Sequence, residues 1–352
     1  MLKRWIGLAL LASCVCHPAA VQAQKWSCGE MGPGMAGPLS PKNAPPGPSG
    51  DLSLPANIPN AWCEPEPPPC VPCEVYVFLG GMALQRQGMG NAPVTFITTP
   101  AVQVVRDLND AWPNMAPGAR GTVGVRQGVH SLEVTGFQLP PNESADQIDA
   151  TGALNSFFIN QPAGFAFFGT ANNTMRTTLR SIMTDGEVNY RRSWFDGFES
   201  LIGFRYLNLN ERLSILASNG TPTTTGTHSL RAINQIYAGQ VGFEAAKALA
   251  VFNCRVALGC GAKGAWGFNQ VAAEQSLVRG DGLQGFANDE TRQLFTQVYE
   301  TNVFVDILAA ERFRVRAGYI FMAVIHAAFT PDNLDFNLAD QTIIGNDDGC
   351  AF

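Results

Sequence analysis

The chain has 352 residues, 46% of them hydrophobic and only 15% charged, with a formal net charge of -6. An ordinary soluble domain carries about 25% charged residues, and an acidic balance argues against nucleic acid as a partner. The length allows one large domain or two smaller ones, with ample material for a core.

In chain order, the first element is an export signal. Lys3 and Arg4 precede an apolar run from Trp5 to Ala12, and Val21-Gln22-Ala23 offers small residues at signal-peptidase spacing. Residues 1–23 are expected to be removed by cleavage after Ala23. A rival reading is Leu11-Ala12-Ser13-Cys14, which resembles a bacterial lipoprotein site and would put a lipid on Cys14.

From residue 24 to 72 prolines crowd a stretch with few aliphatics. Such a segment cannot bury enough surface to fold alone and reads as a disordered tail. Cys63, Cys70 and Cys73 lie at its end, and an oxidising compartment makes them disulfide candidates. A single CxxC without a second Cys or His pair is weak evidence for zinc, so no metal and no other cofactor is expected.

No later segment reaches the roughly 20 apolar residues that a membrane helix needs. Residues 73–352 read instead as strands. Glu74 to Leu84 is the first, followed by a long connection with a short helix expected around Val102 to Trp112. Ala119 to Arg126 and Val129 to Leu139 flank a turn at Gln127-Gly128, and Met175 to Arg192 and Phe198 to Leu216 flank Asp196-Gly197. Ser229 to Leu249 and Val251 to Phe268 join almost directly; after a long connection from Gln270, Leu294 to Leu308 pairs with Glu311 to His326.

Connections thus alternate long and short, the layout of outer-membrane barrels with long extracellular loops and short periplasmic turns. The segments number nine. An even count needs one more, from the stretch after Asn333, so ten strands are expected, with twelve as the alternative. The fold class read from this pattern is all-β, a transmembrane antiparallel β-barrel.

Within Phe252 to Phe268 every second residue is apolar. Phe252, Cys254, Leu258, Cys260, Trp266 and Phe268 share one face of a strand, with Arg255 and Lys263 on the other. Cys254 and Cys260, about 20 Å apart on that face at roughly 3.3 Å per residue, cannot bond to each other. Aromatics at both ends of the apolar row fit a strand crossing lipid. In the last segment Tyr319 and Phe321 belong to the same lipid-facing class, opposed by Arg312, Arg314 and Arg316.

Polar rows belong inside, because an Arg or Lys facing lipid at the midplane costs about 2 to 4 kcal/mol. The expected lumen wall carries Glu187, Arg191, Arg205, Glu211, Glu244, Arg255, Lys263, Glu300, Asp306, Arg312, Arg314 and Arg316. These charges either pair as a polar core or line water, in which case the arginine ladder would select anions.

Wording along the chain closely resembles the putative beta-barrel porin 7 family. The residues that carry it are Gly203-Phe204-Arg205-Tyr206-Leu207-Asn208-Leu209-Asn210-Glu211-Arg212-Leu213, Asn234-Gln235-Ile236-Tyr237-Ala238-Gly239-Gln240-Val241-Gly242, and Arg316-Ala317-Gly318-Tyr319 with Thr330-Pro331-Asp332-Asn333. Gly118 to Gly136 and Gly186-Glu187-Val188-Asn189-Tyr190-Arg191 also fit, giving coverage from about Glu74 to Asn333. The resemblance implies a transmembrane barrel in the outer membrane with a pore role, and brings no catalytic residues. Asp335 to Phe352 departs from it, alternating poorly through Asn346-Asp347-Asp348-Gly349, although Phe352 supplies a terminal aromatic.

An enzyme is not expected. His130-Ser131 and His228-Ser229 are adjacent on strands and point to opposite faces, so neither pair can share a proton. Arg279-Gly280-Asp281 spells an adhesion tripeptide, with Gly282 suggesting turn chemistry. The functional expectation is a porin for passive diffusion of small solutes. The alternatives are a non-conducting barrel acting through loops and tail, and a secreted soluble β-sandwich. Ten strands favour a filled interior, since about eight leave room only for side chains and open channels come nearer 16. Outer-membrane lipid is the expected partner, with self-association as a further one.

Overall fold

The computed structural model describes residues 9–10, 73–85, 93–97, 103–108, 110–111, 116–156, 172–221, 223, 225–251, 254–310, 313–330 and 334. Strand is the dominant element. After the two-residue β1 (Ala9–Leu10), the strands are β2 (Cys73–Gln85), β3 (Pro93–Ile97), β4 (Gln103–Asp107), β5 (Ala116–Gln127) and β6 (His130–Ser156). They continue as β7 (Asn172–Phe195), β8 (Phe198–Ser218), β9 (Thr225–Val251), β10 (Cys254–Arg279), β11 (Phe286–Ala310) and β12 (Phe313–Ile325).

One antiparallel sheet runs in the order β2-β5-β6-β7-β8-β9-β10-β11-β12. That is nine strands in sequence order. The Asp335 to Phe352 stretch, which was to supply the tenth, lies outside the described residues. The helix expected around Val102 to Trp112 is replaced by β4, which pairs with β3 as a hairpin. β3 in turn extends the end of β6, with Thr95 opposite Ser156 and Ile97 opposite Leu154.

The alternation of connections holds. Gly128 and Gly197 lie in two-residue turns with φ of 59° and 79°, the left-handed region that tight hairpins use. A side chain at Gly197 would also strike the backbone of Ala246. Two residues likewise separate β9 from β10 and β11 from β12. All four tight connections fall at one end of the sheet, the turn end. The longer ones fall at the other, the loop end.

Several strands run well past their expected limits. β9 and β10 have 27 and 26 residues, against the 9–11 that cross a bilayer. The Gln270 to Thr291 stretch, read as a connection, is mostly strand, with Val271 paired to Arg292 and Leu277 to Phe286.

The sheet is curled on itself. β5 and β11 stand six strands apart in sheet order, about 29 Å on a flat sheet at 4.8 Å per strand, yet Arg120 Nη1 lies 3.8 Å from Glu300 Oε1. Met82 and Leu84 of β2 share an apolar cluster with Met322 and Val324 of β12. β2 and β12 run in the same direction, and no ladder joins them directly among the described residues. β1 pairs antiparallel with β2 at Leu84 and Gln85 and lies beside β12.

Candidate functional site

The inward face defines the only large enclosed feature of the described residues, and it is filled. Near the turn end Arg191 on β7 donates to Glu133 on β6 at 2.5 Å and to Glu244 on β9 at 3.2 Å. Arg316 on β12 donates to the same Glu244 at 3.0 Å and to Asp306 at 2.8 Å, with its guanidinium 3.7 Å from the Phe304 ring centre. Arg126 reaches Glu199 at 2.6 Å. Arg314 meets Asp306 at 3.5 Å but remains largely exposed.

Deeper in, the charges leave solvent. Arg205 is 1% exposed, Glu187 2%, Glu300 1% and Lys263 9%. Arg205 Nε donates to Asp185 at 2.7 Å and its Nη1 to Glu300 at 3.0 Å, while Lys263 Nζ lies 2.9 Å from Glu187 and 3.0 Å from Glu300. Asn189 and Gln240 donate to Glu187 at 2.9 and 3.0 Å. This lattice ties β7, β8, β10 and β11 across the lumen. Each charge is desolvated, a cost that only close pairing and extra hydrogen bonds offset.

Beyond the lattice, the lumen turns apolar. Leu207, Leu209, Ile236, Ala265 and Val298 form a layer with Phe137 and Met183. The chain enters this layer after β12: His326 takes a φ of 60°, and residues 327–330 run inside the sheet. Phe329 is 2% exposed within the cluster. The arm is held by side chains. Asn234 donates to the Ala328 carbonyl at 2.6 Å and accepts from the Ala328 N–H at 2.8 Å. Thr296 donates to the His326 carbonyl at 2.6 Å, and Glu211 accepts the Thr330 N–H at 3.3 Å. Val94 and Leu108, from the β3–β4 hairpin region, close the loop end against Leu179, Leu213, Ile215 and Leu277.

The inner row therefore gathers Glu187, Arg191, Arg205, Glu244, Lys263, Glu300 and Arg316 in two stacked layers of ion pairs and hydrogen bonds, while Glu211 lies beyond the apolar layer and holds the Thr330 N–H. Arg255 lies in β10 opposite Leu308, but its side chain and the whole of Arg312 fall outside the described residues. Asp306, expected on the inner wall, pairs there with Arg316, whereas sequence reasoning missed Glu133, which faces inward by the same two-residue period. The lumenal arm carried no signal, because Ala327, Ala328 and Phe329 only prolong the apolar character of the strand expected from Glu311 to His326.

On the outward face Trp266 is 40%, Phe268 70% and Tyr319 45% exposed, and Phe321 half-buried. Phe252 lies outside the described residues. Of the disulfide candidates, Cys73 opens β2 without a disulfide partner among the described residues, while Cys63 and Cys70 lie beyond them. His130 Nδ1 meets Tyr190 at 2.6 Å and His228 Nε2 meets Gln275 at 2.9 Å. Arg279 donates to both oxygens of Asp281 at 3.1 and 2.6 Å, folding that tripeptide onto itself and holding the Asp281 carboxyl below its ordinary range.

The outward polarity changes along β8, β9 and β10. From Phe198 to Tyr206 on β8, the outer row is apolar apart from Ser200, with Ile202 and Phe204 exposed; beyond it come Asn208, Asn210, Arg212 and Ser214. β10 changes between Phe268 and Gln270, and β9 beyond Tyr237. Tyr206 packs on Tyr237, and Trp266 on Tyr299, at the boundary. At the turn end, Phe195, Phe198 and Phe243 stack in series. On β8 the stretch from Phe198 to Tyr206 is nine residues, close to the length that crosses a bilayer.

No curated protein matches the chain. A family model described as putative beta barrel porin-7 matches residues 141–348. The match begins within β6, so β2, β5 and the glycine-rich Gly118 to Gly136 pair precede it. Because it spans more than half of the sequence, the chain belongs to the putative beta barrel porin-7 family.

Proposed function

We propose that this protein is an outer-membrane β-barrel whose lumen is closed by its own side chains. It acts as a structural, surface-presenting component of the envelope and not as a catalyst. The observation that carries this reading is the buried lattice of Arg205, Lys263, Glu187 and Glu300, which spans the lumen with exposures of 9% or less. A diffusion pore needs continuous water between its walls. Here the walls meet at 2.7–3.0 Å. Family membership and the aromatic-bounded apolar band support the outer membrane as its location. In that setting the turn end faces the periplasm and the loop end the exterior.

The family's description as porins favours a second reading, passive diffusion of small solutes. Planar-bilayer recording of the refolded full chain separates the two. The closed-barrel reading expects no stepwise conductance from protein that shows heat-modifiable migration. Stable channels from such protein would establish the pore instead.

A further inference from the structure

The arm that follows β12 has a direction. Its successive contacts step along β9, which runs from Thr225 at the loop end to Val251 at the turn end. The His326 carbonyl is held by Thr296, which shares a cross-strand row with Gly267 and Ala238. Ala328 is held on both backbone groups by Asn234. Thr330 is held by Glu211, which lies opposite Ala232. Leu334 then packs against the apolar cluster that contains Leu213, Leu230 and Leu277. On β9 the levels passed are Ala238, Asn234, Ala232 and Leu230, so the chain climbs steadily through the lumen toward the loop end.

Residues 335–352 therefore start from the loop end, and two routes would return them to the turn end. The lumen below is shut, since the ionic layer meets at 2.7–3.0 Å. The other route is a strand laid against β12, antiparallel to it and exposed to lipid on one face. On β9 the outer apolar row ends at Tyr237, seven residues below Leu230. A strand descending from Leu334 in step with β9 would enter the apolar band near Gln341 and carry Asn346, Asp347 and Asp348 into it. Adjacent residues on a strand point to opposite faces, so one of the two carboxylates would face lipid in either setting, which is unfavourable. Residues 335–352 hold no lysine or arginine to offset it.

We infer that the chain beyond Leu334 leaves the lumen at the loop end and is carried on the cell exterior. The barrel thus displays a segment of its own chain, threaded through its loop-side half and held there by Thr296, Asn234 and Glu211. The displayed segment is acidic, with Asp335, Asp340, Asp347 and Asp348, and it carries Cys350. This display rests on the outer-membrane reading above and names what that surface presents.

The test is labelling of whole cells with a maleimide too bulky to cross the outer membrane. Three single-cysteine variants, with every other cysteine changed to serine, are compared: one keeping Cys350, one with Asn219→Cys in the exposed β8–β9 connection, and one with Asp196→Cys in an exposed turn-end hairpin. Cys350 is expected to label on intact cells as fully as Asn219→Cys, and Asp196→Cys only after lysis. Labelling of Cys350 that requires lysis, while Asn219→Cys labels on intact cells, overturns the display and leaves the barrel reading standing. Failure of Asn219→Cys to label on intact cells removes the orientation, and the display with it.

A chain truncated after Leu334 and refolded into lipid vesicles should keep the heat-modifiable migration of the full chain. Loss of that migration would make residues 335–352 part of the wall and overturn the inference. If the full chain itself does not shift on heating, the barrel reading fails and the display with it. Where the cysteine replacements alone abolish the shift, an epitope inserted after Gly345 of the parent chain takes the place of Cys350. Antibody binding to intact cells is then expected, and binding only after lysis overturns the display.

Discussion

The turn-side and loop-side halves of this barrel are built with opposite polarity. On the turn side Ile202, Phe204, Val241 and Leu258 face out while Arg205, Lys263, Glu187 and Glu300 face in. On the loop side Leu213, Ile215, Leu230 and Leu277 face in, and Arg180, Arg212, Gln270 and Glu274 face out. The backbone passes through the change without altering its pleat. A sheet places its apolar row against whatever is least like water, so the same strand reports two solvents: hydrocarbon around the first half, bulk water around the second. Unable to use an apolar core on both faces, the membrane half holds its interior together with charge.

The sharpest way to break that contrast is to remove the centre of the ionic half. Arg205→Leu strands Asp185 without a cation and leaves Glu187 and Glu300 to share Lys263, and should destabilise the fold by about 3 to 5 kcal/mol in urea-dependent folding into lipid vesicles. A loss below about 1 kcal/mol would mean that the lattice is hydrated and the lumen open.

The contrast between outer surfaces predicts a position-dependent penalty for the same side chain. Ile202→Arg, within the apolar band, should cost about 2 to 4 kcal/mol, whereas Gln270→Arg, just past the change on β10, should stay within about 0.5 kcal/mol. Equal costs at both sites in the same folding assay would remove the boundary.

A smaller effect sharpens the inner comparison. Asn234→Ala frees both the N–H and the carbonyl of Ala328 in a buried setting, which should cost about 1 to 3 kcal/mol. A cysteine placed at Ala328 should then label with a water-soluble thiol reagent faster than in the parent, because the lumenal arm would detach while the ionic layer beneath stays shut.

Much of the architecture was legible in the chain. The two-residue period around Phe252 to Phe268 fixed which residues face out, and Gly128 and Gly197 marked tight turns. Strand length was not legible, for a physical reason. Between Phe268 and Val271 the apolar row jumps from even to odd positions, so a reader following hydrophobicity sees the pattern stop, although β10 continues to Arg279. The β4 segment misled in another way, since its period matched a short helix until β3 supplied a partner.

By itself, the sequence determined the class of the protein: alternating strands, tight turns at regular spacing and a row of charges opposite each apolar row, because side-chain direction on a strand follows from covalent geometry alone. Only the tertiary structure decided what the inward charges do. Pairing between Arg205 and Glu300, or Arg316 and Glu244, joins residues that are 95 and 72 positions apart, and depends on how tightly the sheet curls. The same curl decided that residues 327–330 fill the lumen, because a buried backbone must find partners and only the enclosed Asn234, Thr296 and Glu211 could supply them.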